Sequence, residues 1–211
     1  MKKLFIFDID DVIYDMKTKM YEALKEHTGQ DIHPDNWTTL NMNEVFNLDY
    51  KEVVDVFLKK EVLTSGNVNF NIYPLLDYLK KNNIETKAVT ARGWHPDADR
   101  ITQLLFEENN IEIDSLKVIK YTEKKSDYIH QLTNYDIIGY VDDSDRHITE
   151  TRLMCGNNVK NYYLQDQPWN RHIQIESDMK RIQDISEIKE HIEIYLGSDQ
   201  KPNNNRRFKM R

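Results

Sequence analysis

Short apolar runs alternate with amphipathic stretches along most of this chain, and that alternation constrains its fold more than any other feature. The runs over 3–7, 85–89, 116–120, 137–141 and 160–164 have the length and composition of buried strands. The stretches between them carry apolar residues at helical spacing. This pattern predicts an α/β fold, a doubly wound parallel sheet with helices on both faces. Ligands of such sheets bind beyond the carboxyl ends of the strands.

A helical insertion interrupts the alternation after the first predicted strand. Two stretches in it, Thr18 to Thr28 and Val45 to Leu58, have helical spacing, and an Asn- and Gly-containing segment ends it. We therefore expect a core formed by residues 1–15 and 71–197 and a small helical cap formed by residues 16–70.

Composition narrows the classes of protein further. The chain has 211 residues, a net charge of -7 and 39% hydrophobic residues, which is typical of a soluble globular protein and argues against broad non-specific binding of nucleic acid. We expect no membrane span, because no apolar run approaches about 20 residues. Cys155 is the single cysteine, which suits a cytoplasmic protein without disulfides. The tail, 198–211, is rich in asparagine and basic residues and is expected to be disordered.

Polar residues follow four of the predicted strands and are expected to meet at one edge of the sheet. They are Asp8-Ile9-Asp10-Asp11, Thr90-Ala91-Arg92, Lys124-Lys125 and Asp142-Asp143. Asp8 and Asp10 are separated by one residue, so in an extended segment their side chains point to the same side and repel each other. Bound Mg²⁺ relieves such repulsion, since it prefers hard oxygen ligands such as carboxylates and carbonyls.

The same segments resemble the four signature motifs of the haloacid dehalogenase-like hydrolases. The matching stretches are FDIDDVIYD, VTARG, the lysine of TEKKSD and YVDDSD, in the family's order, and the resemblance covers residues 3–195. It implies a magnesium-dependent phosphatase that forms an aspartyl-phosphate intermediate. The second aspartate of DxD indicates a phosphatase, because dehalogenase-type members lack it.

The resemblance also implies a role for each motif residue. Asp8 would attack phosphorus, and Asp10 would protonate the leaving oxygen and later deprotonate water. Asp8, the carbonyl of Asp10, and Asp142 or Asp143 would hold Mg²⁺. The phosphoryl group would be bound by a set of polar groups on the neighbouring strand ends: Thr90, the N–H of Ala91, Arg92 and Lys125.

Two branches of the family differ in substrate. The stretches IYPLLDYLKKNNIETKAVTARG and YYLQDQPWNR are similar to the 5'(3')-deoxyribonucleotidase branch, which implies a nucleoside monophosphate as the small phosphorylated partner. VTARG also resembles the phosphatase half of phage polynucleotide kinases, which implies a phosphorylated nucleic-acid end. A third hypothesis is a non-catalytic phosphate-binding module.

Several assignments at the strand ends stay open. Either Lys124 or Lys125 would be the lysine that contacts the phosphoryl group. We favour Lys125, because it directly precedes a predicted helix. For Arg92 two interpretations stay open: its side chain either contacts the phosphate or pairs with an acidic neighbour. Asp11 is expected to orient its loop rather than to react. Histidines, including His147, are expected to be surface or packed residues.

Assignments around the substrate are open as well. Aromatic residues of the insertion either stack on a base or belong to the core. These are Trp37, Phe46 and Tyr50. The loop 167–170 either lines the entrance or packs on its own strand. Five arginines would favour a polynucleotide if they gathered into a groove. These are Arg92, Arg100, Arg146, Arg152 and Arg171.

Overall fold

The strands and helices alternate as the sequence predicts. A computed structural model describes residues 1–64, 66–120 and 122–199 of the chain. Its strands are β1 (Lys2–Phe7), β2 (Tyr14–Asp15), β3 (Asn67–Val68), β4 (Ile84–Gly93), β5 (Ser115–Lys120), β6 (Tyr135–Asp142), β7 (Tyr162–Gln165) and β8 (Met179–Ile182). Its helices are α1 (Lys17–Thr28), α2 (Met42–Phe46), α3 (Tyr50–Lys59), α4 (Ile72–Lys81), α5 (Ala98–Glu108), α6 (Lys125–His130), α7 (Asp145–Cys155) and α8 (Glu187–Asp199).

Strand β1 lies inside the main sheet. In the described ranges, the sheet has six strands in the order β5-β4-β1-β6-β7-β8, and each neighbouring pair is parallel. Successive side chains of a strand point to opposite faces, so Leu4 and Ile6 lie in one apolar cluster and Phe5 and Phe7 in another. Both faces are therefore buried, as parallel sheets require.

Helices cover both faces. Helices α6 and α7 contribute Ile129 and Ile148 to the cluster around Leu4. Helices α4, α5 and α8 contribute Leu79, Leu105 and Ile188 to the cluster on the other face. This confirms the prediction of a doubly wound parallel sheet.

The inserted helices α1, α2 and α3 lie between β2 and β3. These two short strands pair antiparallel, so the chain leaves the core and returns to it side by side. The single helical pattern predicted over Val45 to Leu58 is two helices in the structure, and that prediction is wrong. Asn47 adopts a left-handed conformation with φ of 52°, which ends α2. The Asp49 carboxylate then accepts a hydrogen bond from the N–H of Glu52 and begins α3.

Two strands that affect the candidate site differ from the prediction, one in its bounds and one because it was not expected. Strand β4 continues to Gly93 instead of stopping at Thr90. A Cβ atom at Gly93 would lie 2.3 Å from the carbonyl oxygen of Ile119, so only glycine permits this close approach to β5. Strand β8 was not predicted, since a four-residue strand gives little periodic signal.

The structure describes only part of the predicted tail at the carboxyl end of the chain. Helix α8 continues through Ser198 to Asp199, so these two residues of the predicted disordered tail are helical. Residues 200–211, on which the rest of that prediction falls, lie outside the described residues. Among the described helices, none has both the length and the hydropathy needed to cross a bilayer.

Candidate active site

Asp8 is the first residue after β1, where the strand turns toward the inserted helices. Its N–H donates to the carbonyl of Val141 at 2.9 Å, so the loop still follows β6 at this point. The carbonyl of Ile9 accepts hydrogen bonds from the N–H groups of Ile13 and Tyr14, which closes a tight turn. The carboxylate of Asp8 is buried, whereas that of Asp10 is 24% exposed. The turn thus presents one buried and one accessible carboxylate.

Asp11 holds the start of α1. Its carboxylate accepts hydrogen bonds from the N–H groups of Met16 and Lys17 at 3.1 and 3.0 Å. Burial raises the pKa of Asp11 to about 7, although the Lys17 ammonium opposes this. Asp11 therefore lies where a loop-orienting residue was expected.

Lys125 joins two of the predicted carboxylates. Its Nζ lies 2.7 Å from Oδ1 of Asp8 and 2.7 Å from Oδ2 of Asp142, and its side chain is 1% exposed. Lys124 points away and lies 3.8 Å from Glu150 on the surface. Of the two adjacent lysines, the structure thus places Lys125 with the carboxylates.

Asp142 and Asp143 end β6. Asp142 is fixed from several sides: Oδ1 accepts the N–H of Ser144 at 2.9 Å, and Oδ2 accepts the hydroxyl of Tyr140. His147 Nδ1 lies 3.4 Å from Oδ1 of the same carboxylate. Within the described ranges, Asp8, Asp142 and Asp143 form a cluster in which one carboxylate oxygen from each lies within 4.8 Å of the others.

The charges of this cluster do not balance. Three buried carboxylates face a single buried ammonium, that of Lys125. Burial, reinforced by the charge of Asp142, raises the pKa of Asp8 to about 8. The same two causes raise the pKa of Asp143 well above its ordinary value. Burial also disfavours ionised Asp142, yet Lys125 and His147 outweigh it and lower the pKa of that carboxyl.

A divalent cation fits this donor set. The converging atoms are carboxyl oxygens, which are the ligands that Mg²⁺ prefers, and such an ion would neutralise the excess of negative charge that the cluster carries when all three groups are ionised. Asp8, Asp142 and Asp143 are therefore the residues able to hold the metal with their side chains.

Thr90, Ala91 and Arg92 lie in the last residues of β4, beside this cluster. Thr90 is fully buried, and its hydroxyl lies 3.4 Å from Oδ2 of Asp10. Ala91 lines the cleft in front of Asp8. Arg92 is fully buried, and its guanidinium donates to both oxygens of Asp10 and to the hydroxyl of Thr102. For Arg92 the structure therefore shows the second alternative, an ion pair with an acidic neighbour.

A cleft of 260 Å³ opens in front of Asp8, between the sheet edge and the inserted helices. Asp8, Asp10 and Asp143 are among its acidic lining residues, and Asn41 and Asn43 are among its neutral polar ones. Most of the remaining lining is apolar. These side chains are Met20, Leu40, Met42, Val53, Val54, Phe57 and Trp94.

A second cleft of 570 Å³ adjoins the first, and both are lined by Tyr50, Trp94 and His147. It is more polar and includes basic residues. These are Lys120, Lys124, Lys125 and Arg146, accompanied by Glu123 and Glu150. A separate hollow of 470 Å³ lies at the opposite edge of the sheet, near Lys2 and far from the carboxylates.

Two of the three candidate base-stacking residues belong to the core, so that interpretation is wrong for them. Trp37 and Phe46 are 1% and 0% exposed and lie edge to face with their ring centroids 6.3 Å apart. Trp37 also contacts Trp169, at 6.1 Å between centroids. Tyr50 is 45% exposed and does line the cleft.

The loop over 167–170 packs under the candidate site instead of lining its entrance. The side-chain amide of Gln167 donates to the carbonyl of Asp11 at 3.0 Å. The amide of Asn170 donates to the carbonyls of Asp143 and Gln165 at 2.8 and 2.7 Å. This loop therefore supports both carboxylate-bearing turns from behind.

The five arginines do not gather into one groove. Arg92, Arg152 and Arg171 pair with Asp10, Asp178 and Asp166. Arg100 lies 4.0 Å from Asp97. Arg146 is the member of this set that lines the second cleft.

Sequence reasoning missed several groups that shape the site. Tyr140 and His147 contact Asp142. Arg181 donates to the side-chain oxygen of Asn170 at 2.5 Å and so orients its amide toward Asp143. His147 lies five residues after Asp142, at a distance consistent with the first turn of a following helix, which is the signal that was available.

No family model matches this sequence, and no curated protein matches it. Solved structures do match its fold. A haloacid dehalogenase-like family hydrolase from Streptococcus pneumoniae superposes with a TM-score of 0.64 at 11% identity, covering 92% of this chain and 98% of that chain. A predicted phosphatase from Clostridium acetobutylicum gives 0.64 at 16% identity, covering 92% and 99%. A β-phosphoglucomutase from Clostridium difficile gives 0.61 at 18% identity, covering 94% and 99%. At these identities the likeness shows that the chain has the haloacid dehalogenase-like fold.

Proposed function

We propose that this protein is a magnesium-dependent phosphatase that acts on a small phosphomonoester. The observation that carries the proposal is the contact of one buried lysine, Lys125, with both Asp8 and Asp142, in a cluster that also contains Asp143. A carboxylate beside a buried cation and a metal site has what phosphoryl transfer needs, since catalysis of that reaction is mainly positioning and charge neutralisation. The names of the structural neighbours, a predicted phosphatase and a β-phosphoglucomutase, agree with this chemistry.

Asp8 is the proposed nucleophile. A carboxylate oxygen forms a bond to phosphorus while the bond from phosphorus to the leaving oxygen breaks, and Asp10 donates the proton that the leaving oxygen needs. Asp10 then accepts a proton from the water that attacks the aspartyl phosphate. This returns Asp8 as a carboxylate and releases inorganic phosphate.

The remaining residues bind and orient. The Thr90 hydroxyl, the Ala91 N–H and the Lys125 ammonium are proposed to bind phosphoryl oxygens, and Lys125 also restrains Asp8. Asp8, Asp142, Asp143 and the carbonyl of Asp10 are proposed to hold Mg²⁺. When bound, Mg²⁺ neutralises negative charge between the carboxylates and the phosphate.

The leaving group is proposed to be a nucleoside. Residues 16–70 would form a cap over the strand ends, and they supply most of the apolar lining of the 260 Å³ cleft. A base would bury apolar surface against side chains such as Phe57 and Trp94, whereas a sugar hydroxyl or a carboxylate would lose hydration there. A nucleoside monophosphate therefore suits this cleft better than a sugar phosphate does.

A second candidate function is the removal of phosphate from a nucleic-acid end. The observation that favours it is the adjoining 570 Å³ cleft, in which Arg146, Lys120 and Lys124 could contact a neighbouring phosphate. The two candidates share the same chemistry and differ in what lies beyond the reacting phosphate.

Hydrolysis assays test both the class and the substrate. We expect turnover of an aryl phosphate in Mg²⁺ and its loss in chelator, together with an acid-stable phosphoenzyme in the parent that Asp8→Asn lacks. Asp178→Asn, at a surface ion pair with Arg152, is the matched control and should keep both. Phosphate binding without turnover would instead indicate the non-catalytic module.

A panel of substrates separates the two candidates. We expect a higher kcat/KM for a deoxynucleoside monophosphate than for a 3'-phosphorylated oligonucleotide, and a KM increase for the nucleotide in Tyr50→Ala. An advantage of about tenfold for the oligonucleotide, worth roughly 1.4 kcal/mol, would select the second candidate, above all if Arg146→Gln removed it.

A further inference from the structure

The carboxylate of Asp10 is held by a fork of hydrogen bonds from Arg92. The Nε of Arg92 lies 3.1 and 3.0 Å from the two oxygens of Asp10, and one terminal nitrogen lies 2.6 Å from Oδ1. A planar guanidinium that meets both oxygens of a carboxylate fixes its direction as well as its distance.

The guanidinium is the fixed member of this pair. Its other terminal nitrogen donates to the hydroxyl of Thr102 in α5 at 3.0 Å, and Thr102 is itself fully buried. Its Cζ atom lies 6.0 Å from the centre of the Tyr14 ring, whose hydroxyl donates to the carbonyl of Leu105 at 2.8 Å. Arg92 is therefore anchored in the core, whereas Asp10 is partly exposed at the cleft.

Without Arg92, the Asp10 side chain would be free to change rotamer, because it is partly exposed and lies on a turn at the cleft. The Thr90 hydroxyl also contacts its carboxylate, but at 3.4 Å, near the limit for a hydrogen bond. The charge-assisted hydrogen bonds from Nε and one terminal nitrogen of Arg92 therefore fix the direction of this carboxylate.

We propose that Arg92 is a positioning residue that aims the Asp10 carboxylate at the leaving oxygen, and that it is not a phosphate contact. This inference rests on the proposed phosphatase function. It follows from the complete burial of Arg92 and from its donors, which are directed at Asp10 and Thr102. Arg92 thus determines how well the enzyme cleaves esters whose leaving oxygen requires a proton.

First-turnover rates with two substrates test the assignment. An aryl phosphate with a good leaving group needs little proton donation, whereas an alkyl phosphate needs it fully. For Arg92→Lys, which keeps the charge but loses the fork, we expect release of the alkyl alcohol to fall by about 10² or more, the scale of a misplaced general acid. Release of the aryl alcohol and the inhibition constant for inorganic phosphate should stay within about threefold.

A double-mutant cycle adds an independent readout. In an Asp10→Asn background, Arg92→Lys should cost little further, because the carboxyl group that Arg92 positions is already absent. Arg100→Lys, an exposed arginine of α5, is the matched control and should change nothing. If Arg92→Lys fails to fold, Thr102→Val loosens the same guanidinium and should reduce alkyl release in the same selective way.

Three outcomes would contradict the proposed role of Arg92, and each differs from the others in what is measured. A parallel loss with both substrates, accompanied by about tenfold weaker phosphate inhibition, would make Arg92 a phosphate contact and overturn the inference alone. Additive losses in the double mutant would also overturn it. A parent protein that hydrolyses neither ester in Mg²⁺ would overturn both this inference and the proposed function.

Discussion

Removing the divalent cation should make the stability of this protein fall as the pH rises. The pKa of Asp8 is raised by burial from its ordinary value of 3.8 to about 8, and that of Asp143 is raised well above the ordinary value for the same reason. Without metal, Asp8 is protonated in the folded protein at neutral pH but ionised in the unfolded chain, and Asp143 keeps its proton to a higher pH in the folded protein than in the unfolded chain. The folded state then binds more protons, so stability is fully present below the unfolded pKa and is lost as the pH rises through the folded one.

The magnitude follows from the number of protons retained. Each group that is protonated only in the folded state contributes about 1.4 kcal/mol per pH unit. Two pH units above the unfolded pKa, one such group would cost about 3 kcal/mol, less where water enters the site. For a domain of this size that corresponds to roughly 6–12 °C in Tm. Burial lowers the pKa values of His95 and His191, which contributes a pH dependence of the opposite sign.

Thermal unfolding isolates the contribution of the carboxyl cluster to the pH dependence of stability. It is measured in Mg²⁺ and in chelator, at several pH values from about 5 to about 8. The histidines contribute equally to both series, so the Tm difference between Mg²⁺ and chelator should grow as the pH rises. Asp143→Asn should flatten that growth, whereas Asp178→Asn on the surface should not. A Tm difference that is constant, or largest at low pH, would refute the account of the cluster as crowded carboxylates that share a cation.

Three further substitutions have defined outcomes. Asp8→Asn should reduce turnover by a factor of about 10⁴ or more, since an amide cannot attack phosphorus; this corresponds to a rise of roughly 5 kcal/mol in the activation barrier. Steady-state turnover within tenfold of the parent would contradict the mechanism. Asp10→Asn should accumulate phosphoenzyme from an aryl phosphate and hydrolyse it slowly while still binding Mg²⁺ in a calorimetric titration, and an unchanged rate of dephosphorylation would exclude Asp10 as the base. Asn170→Leu should cost about 1–3 kcal/mol of unfolding free energy and weaken Mg²⁺ binding, because the carbonyl of Asp143 loses its donor; equal Mg²⁺ affinity in parent and variant would show that this support is dispensable.

The part of the site that the sequence predicts is the part governed by local pattern. An apolar run followed by polar residues marks where a buried strand ends, and in a parallel sheet such ends share one edge. The shared edge is enough to predict that Asp8, Lys125 and Asp142 come together, without knowledge of any side-chain conformation.

Pairings between distant side chains lie beyond such patterns. Arg92 and Asp10 are 82 positions apart, and either of the two interpretations of Arg92 fits a polar residue at a strand end. Trp37 and Phe46 show the same limit, because an aromatic residue at helical spacing has the same signal whether it faces a ligand or the core. The choice depends on packing between elements, which periodicity does not encode.

The support beneath the carboxylates explains how they can converge at all. Asp8, Asp142 and Asp143 repel one another whenever more than one of them is ionised, and this repulsion would spread flexible loops apart. The side-chain amides of Gln167 and Asn170 donate to the backbone carbonyls of Asp11 and Asp143, so they hold these two turns without using a carboxylate oxygen. Arg181, which is itself paired with Asp166, donates to the side-chain oxygen of Asn170, so the restraint continues into β8. Neutral side-chain amides that donate to backbone carbonyls thus hold the crowded geometry in place without adding charge beside the proposed metal and phosphate sites.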